Sequence, residues 1–201
     1  MSADRAGASE RRTVVLVEGR SDQAALEALA GRRGQALGAG GISIAAMGGA
    51  TNIGHFLDRF GPHGLDVRLA GLCDADEESV VRRALGRAGL GSGLSRAGME
   101  ELGFFVCTAD LEDELIRALG TEGVERVIEA QGELRSFRIF QRQPAQQGRS
   151  PQRQLHRFMG TRAGRKSQYA RLLVDALDPG CVPRPLDRVL THAAAAGHRA
   201  G

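Results

Sequence analysis

Three short apolar runs in this chain end on carboxylates, and each is followed by an amphipathic stretch. Val14-Val15-Leu16-Val17 passes into Glu18-Gly19-Arg20-Ser21-Asp22, Val67 to Cys73 into Asp74-Ala75-Asp76-Glu77-Glu78, and Gly103 to Thr108 into Ala109-Asp110-Leu111-Glu112. A fourth, Ile42 to Met47, passes into Gly48-Gly49-Ala50-Thr51-Asn52. Continuous rather than alternating apolar residues mark strands buried on both faces, the condition of a parallel sheet. Strands alternating with helices then predict an α/β fold with four parallel strands. In such sheets ligands bind outside the carboxyl ends of the strands, which is where this chain gathers its acids.

The helical segments follow from periodicity. Ser21 and Asp22 open a helix carried on by Gln23 to Ala30, and Ile53 to Phe60 places Ile53, Phe56, Leu57 and Phe60 on one face. Gly48-Gly49 could cradle a phosphate, but no GxxxxGK[ST] is present and a tight strand-to-helix turn is the better reading. Gly89 to Gly98 reads as a loop. Asp110 suits the cap of a helix bearing Leu111, Leu115, Ile116 and Leu119, whereas Glu112 has no such explanation.

From Thr121 the pattern is helical: Val124 to Ile128, Leu134 to Gln141, Ser150 to Met159, Gly164 to Leu177, and a short closing helix after Pro183-Arg184-Pro185-Leu186. A mobile turn is expected at 141–150. The expected organisation is a disordered leader over 1–12, an α/β core over 13–120 and a basic helical extension over 121–201 packed on it.

Charge divides along the same line. Residues 1–130 carry 14 basic and 20 acidic side chains (net −6), and residues 131–201 carry 13 basic and 4 acidic (net +9). Acids that collect a cation, joined to a basic surface that attracts phosphate, are the distribution of a nucleic-acid enzyme. A solvated basic face would look the same. No apolar run is long enough to cross a bilayer and the first dozen residues are polar, so a cytoplasmic protein is expected. Cys73, Cys107 and Cys181 lack CxxC spacing and read as reduced core residues, not zinc ligands.

Side chains two apart on an extended chain point the same way, so Asp74 and Asp76 are expected to present both carboxylates to one side. Two such carboxylates repel unless a cation or proton lies between them, and Mg2+ is a natural partner for oxygen ligands. The competing reading is a helix N-terminus decorated with acids. Lys166 is the one lysine among 27 basic residues, which hints that a compact point charge is wanted there.

Taken together, Val17-Glu18-Gly19-Arg20-Ser21-Asp22, Cys73-Asp74-Ala75-Asp76, Asp110-Leu111-Glu112-Asp113-Glu114-Leu115 and Gly164-Arg165-Lys166-Ser167 resemble the TOPRIM domain of the OLD (overcoming lysogenization defect) family of nucleases. The resemblance spans about residues 13 to 190 and implies a Rossmann-like layer around a central parallel sheet, flanked by helices and followed by a C-terminal helical extension. It implies that Glu18, Asp74 and Asp76 form a first metal site, that Asp22 with Asp110 or Glu112 forms a second, and that Lys166 stabilises charge on the phosphate. Mg2+ or Mn2+ is the implied cofactor, one or two ions, and DNA the implied partner.

OLD proteins carry an ABC-type ATPase ahead of this region, and the chain has no Walker A motif. A stand-alone unit is therefore expected, or one working with a separate ATPase or helicase chain, with a homodimer as a candidate assembly. The expected activity is phosphodiester hydrolysis by a two-metal mechanism, with Glu18, Asp74, Asp76 and Lys166 as catalytic residues. The alternative is a non-catalytic TOPRIM module that binds nucleic acid or regulates a partner. Nucleotidyl transfer ranks lower because no domain for nucleotide selection is visible.

Overall fold

The computed structural model describes residues 12–38 and 41–195. The leader expected over 1–12 lies outside the described residues except for Arg12, as does the end of the chain after residue 195. The four apolar runs form strands β1 (Thr13–Val17), β2 (Ile42–Ala46), β3 (Arg68–Cys73) and β4 (Phe104–Val106), all parallel, in the order β2-β1-β3-β4. Val17 lies level with Ala46 on one side and Leu72 on the other, and Cys73 with Val106. The strands therefore end at a common edge. The chain leaves β1 outward to β2, then crosses back to β3, so the order reverses between β1 and β3. A crevice opens at such a reversal, and the segments leaving β1 and β3 carry Glu18 and Asp74.

Residues alternate between the two faces of the sheet because successive side chains in a strand point oppositely. Val14, Leu16, Leu69, Cys73, Phe104 and Val106 face one way, against α2 (Ile53–Phe60), α3 (Glu78–Arg87) and α4 (Arg96–Glu101). Val15, Val17, Ala70, Leu72 and Phe105 face the other, against α1 (Arg20–Arg32), α5 (Leu111–Ala130), α6 (Leu134–Gln141), α7 (Pro151–Met159), α8 (Arg165–Ala176) and α9 (Arg184–Ala194). The C-terminal helices thus belong to the same apolar cluster as the strands.

Helices α1 and α8 pack directly on each other, and Arg32 fastens them by donating to the carbonyls of Val174 and Leu177, the latter at 2.6 Å. Gly71 is required inside β3, since a Cβ there would stand 2.6 Å from the Phe104 ring.

Several local expectations are revised. The glycine loop after α3 gives way at Ser95 to α4, whose cap is the Ser95 hydroxyl accepting from Gly98 N–H at 3.1 Å and whose anchor is the fully buried Met99. The segments read as separate helices on either side of residue 120 are indeed two, meeting within α5 at a kink where Gly120 leaves helical geometry (φ 68°, ψ 162°). The expected mobile turn at 141–150 is packed. Gln146 is buried there, and its carbonyl accepts from the Gln154 amide at 2.9 Å. Cys73 and Cys107 are buried and free, but Cys181 is exposed, because it lies in a short 3-10 turn before α9 and not in a strand.

Candidate metal centre

Glu18 follows β1 directly and is half-buried. Its backbone carbonyl accepts from Gly48 and Gly49 N–H at 2.9 and 3.1 Å, so the glycine turn after β2 spends these donors on holding the end of β1 and not on a phosphate. Asp22 lies in the first turn of α1, 8% exposed, where its Oδ2 accepts from Gly19 N–H at 2.8 Å. Asp74 leaves β3 half-buried, and the chain beyond is tied to the β4 side by Ala75 N–H donating to the Ala109 carbonyl at 2.8 Å.

Asp110 caps α5, its Oδ1 accepting from Asp113 N–H at 2.8 Å. One turn position further, Glu112 is only 3% exposed. Lys166, at the start of α8, places Nζ 3.2 Å from Glu112 Oε2, while Glu112 Oε1 is buried without a hydrogen-bond partner. Leaving a buried acceptor unsatisfied costs about 1–3 kcal/mol, more for a charged group, so this oxygen is a candidate ligand atom.

Asp76 departs from the arrangement expected of it. Residues Ala75–Glu77 form a 3-10 turn, so the alternation of an extended chain stops at Asp74. A 3-10 helix has three residues per turn, which brings residue 77, not residue 76, back to the side of residue 74. Asp76 is exposed, and Glu77 is the second largest influence on Glu18, after burial.

The electrostatics separate the rim into two halves. Burial, followed by the charges of Asp22, Asp110, Glu18 and Glu112, pushes Asp74 up to about 7. Burial also raises Asp22 to about 6, with Glu112 and Glu18 adding to it against the Gly19 hydrogen bond. Glu18 is raised by burial and by Glu77 and Glu112, with Lys166 opposing. At these three carboxylates burial and mutual repulsion outweigh what compensation there is.

On the other half, burial works to raise Asp110, but the His156 hydrogen bond, Asp113 N–H and Lys166 outweigh it and hold the carboxyl below its ordinary value. His156 is raised in turn, first by that hydrogen bond. Burial works to lower Lys166, and the Glu112 carboxylate more than reverses it. An uncompensated group of acids beside a compensated one can hold a hard cation on the first half and steer anionic substrate to the lysine on the second.

His156 was not marked by any sequence signal. It sits on α7, with Nε2 2.7 Å from Asp110 Oδ2, and the ligand atoms of Asp110, Glu112 and His156 all lie within 4.8 Å of one another. No spacing rule links a helix to a strand end 46 residues away. A second missed group supports Lys166. The neighbouring Arg165 is 5% exposed, stacks over Phe158 with its guanidinium carbon 4.3 Å from the ring centre, and pairs with Glu133 at 2.8 Å. Tyr169 donates to the other Glu133 oxygen at 2.7 Å. This buried cluster fixes the first turn of α8. On the opposite face of the sheet, Glu78 at the start of α3 is paired with both Arg82 and Arg96.

Residues 11–76 match the family model for the overcoming lysogenization defect protein-like TOPRIM domain. No curated protein matches the chain. Among solved structures, the C-terminal region of the Burkholderia pseudomallei OLD protein superposes with a TM-score of 0.68 at 24% identity, covering 92% of this chain and 98% of that one, a likeness of fold. The C-terminal region of the Xanthomonas campestris pv. campestris OLD protein, phased with mercury, gives a TM-score of 0.64 at 27% identity over 93% and 98%. The same region phased with iodine gives 0.67 at 27% over 92% and 95%. The matched segment contains Glu18, Asp22, Asp74 and Asp76, and the superposed fold extends to the elements bearing Asp110, Glu112 and Lys166. Residues 11–76 thus match an OLD-like TOPRIM domain, and the fold as a whole is similar to the C-terminal regions of OLD (overcoming lysogenization defect) proteins.

Proposed function

We propose that the chain is a divalent-metal-dependent nuclease that hydrolyses phosphodiester bonds in DNA. The observation that carries this reading is the meeting of Glu18, Asp22, Asp74, Asp110 and Glu112 at one rim, with a buried, unpartnered oxygen on Glu112 and a lysine alongside. The donors are all oxygens apart from His156, and three of the carboxyls are raised by burial and by one another's charge, so Mg2+ or Mn2+ suits this set. Glu18, Asp74 and Asp22 would hold one ion, and Asp22 with Asp110 and Glu112 a second. Asp76 and Glu77 stand on the turn bordering the first. When bound, such ions activate a water and offset charge on the phosphate oxygens.

The remaining work falls to the chain itself. Lys166 would place its ammonium against the phosphate, held in position by the Arg165, Glu133 and Tyr169 cluster. Exposed arginines of the extension, such as Arg153, Arg157 and Arg162, would contact backbone phosphates without reading sequence. An ATPase, on this or a separate chain, is the partner class the reading implies.

One observation favours a second reading, a nucleic-acid-binding module without turnover: Asp76 points to solvent and so does not double the charge of Asp74. Incubation with supercoiled, linear and single-stranded DNA in Mg2+, in Mn2+ and in EDTA tests both. The nuclease reading expects metal-dependent nicking or cutting that Asp74→Asn and Lys166→Ala abolish. Salt-sensitive binding with no cleavage in any divalent metal would replace it with the second.

A further inference from the structure

In the compensated half of the rim, Asp110 and Glu112 are each held at one oxygen, and the second Asp110 oxygen meets His156. Asp110 Oδ1 is taken by Asp113 N–H at 2.8 Å, leaving Oδ2 toward His156. Glu112 Oε2 is taken by Lys166 at 3.2 Å, leaving the buried Oε1 unpartnered. His156 offers Nε2, 2.7 Å from Asp110 Oδ2. Adjacent ligands on a six-coordinate ion with bonds of ~2.1 Å lie roughly 3 Å apart. The separation between His156 and Asp110 is already close to that value, and the Glu112 ligand atom lies within 4.8 Å of both, so an ion would replace the proton shared by His156 and Asp110 and draw Glu112 inward. The half formed by Glu18, Asp22 and Asp74 has only carboxylates. The two halves therefore differ in ligand chemistry.

We propose that His156 is a direct ligand, with Asp110 and Glu112, of the second cation, and that its nitrogen makes this subsite select Mn2+ or Co2+ over Mg2+. Imidazole adds little to the binding of a hard ion such as Mg2+, which prefers carboxylate and water, but strengthens the binding of first-row transition ions. The inference rests on the reading of the rim as a cation site. It adds that the site is a mixed one, with an all-oxygen position beside an oxygen and nitrogen position. The ring is held by α7, an element of the basic extension, so the extension contributes to the ion and not only to the substrate surface.

The test uses the full chain, titrated with Mn2+ alone and with Mg2+ alone, and pulsed electron paramagnetic resonance of the Mn2+ complex. The wild type is expected to show a nitrogen coupling to bound Mn2+ that is missing from His156→Gln. The same variant is expected to lose about ten- to a hundredfold in Mn2+ affinity while Mg2+ affinity stays within about twofold. His156→Asn serves where the glutamine variant does not fold, as judged by circular dichroism.

Equal weakening of Mg2+ and Mn2+, or a wild-type complex without nitrogen coupling, overturns the proposal, since His156 would then only hold Asp110 in place. Persistence of the coupling in the variant overturns it too. The nuclease reading fails separately. A nitrogen-coupled Mn2+ in a protein that cuts no DNA leaves the ligand assignment standing and removes the activity.

Discussion

Replacing Asp74 by asparagine should make the metal-free protein more stable, although it removes a residue proposed to be essential. In the folded chain the Asp74 carboxyl is raised from 3.8 to about 7 by burial and by four neighbouring carboxylates. A group raised in the folded state binds more protons there than in the unfolded chain between these two values. Stability is therefore lost as pH climbs from about 4 to about 7, and stays at the lower level above that.

The difference of about 3 units corresponds to an upper bound of about 4 kcal/mol at ~1.36 kcal/mol per unit. Asp74 is only half-buried, and solvent screening reduces this to about 1–2 kcal/mol. Asparagine keeps the shape and cannot ionise. At pH 8 in EDTA, Asp74→Asn should melt about 2–8 °C above the wild type, given ~2–4 °C per kcal/mol for a chain of this size. At pH 5 about a third of the gain should remain. Saturating Mn2+ should reverse the order, since only the wild type gains the ligand's binding energy. Thermal and urea denaturation at both pH values read this out. A variant less stable than wild type at pH 8 without metal, or one whose gain is the same at pH 5 and pH 8, would refute the picture of an uncompensated acidic rim.

Asp76→Asn, by contrast, alters an exposed side chain and should change metal-free stability at pH 8 by less than about 0.5 kcal/mol in the same denaturation series. Arg165→Ala leaves Glu133 with only the exposed Arg162 at 3.6 Å as a cation and removes the stack on Phe158; a loss of about 2–4 kcal/mol is expected in urea, with Lys166 displaced and cleavage reduced. Gly71→Ala drives a methyl into the Phe104 ring and should cost about 1–3 kcal/mol by the same measurement. Burial pushes the Cys73 thiol up to about 12 and Cys107 further still, so a native-state thiol titration with a disulfide reagent should find one reactive cysteine, Cys181, and three after denaturation.

What could be read from the sequence was local. Runs such as Val14 to Val17 are too apolar for a solvated face, and an acid directly after such a run has to sit at a strand end. The parallel sheet and the common edge follow from those two facts. Asp76 shows the limit of that reasoning, because alternation holds only while the chain stays extended, and the 3-10 turn over Ala75–Glu77 substitutes a period of three. Helix α4 was obscured by flanking glycines, with its signal confined to Ser95 and the buried Met99. His156 could not be placed at all. Its partner is on another element, and the helix that carries it is held by Leu155, Phe158 and Met159, whose packing no spacing rule gives. Lys166 stood out by rarity and by the family resemblance, and Glu112 by having no role as a cap, but their pairing became visible only when α8 was set against α5.

The fastening of α1 to α8 has a practical consequence for anyone trimming the protein. A fragment ending at Ala130 would retain all four strands and every proposed carboxylate ligand. It would also strip the cover from Ala25, Leu26 and Leu29, leave the guanidinium of Arg32 without its carbonyls, and discard the one lysine. Such a piece should be recovered as insoluble material, so a minimal catalytic unit cannot be cut from this chain at the boundary where its charge changes sign.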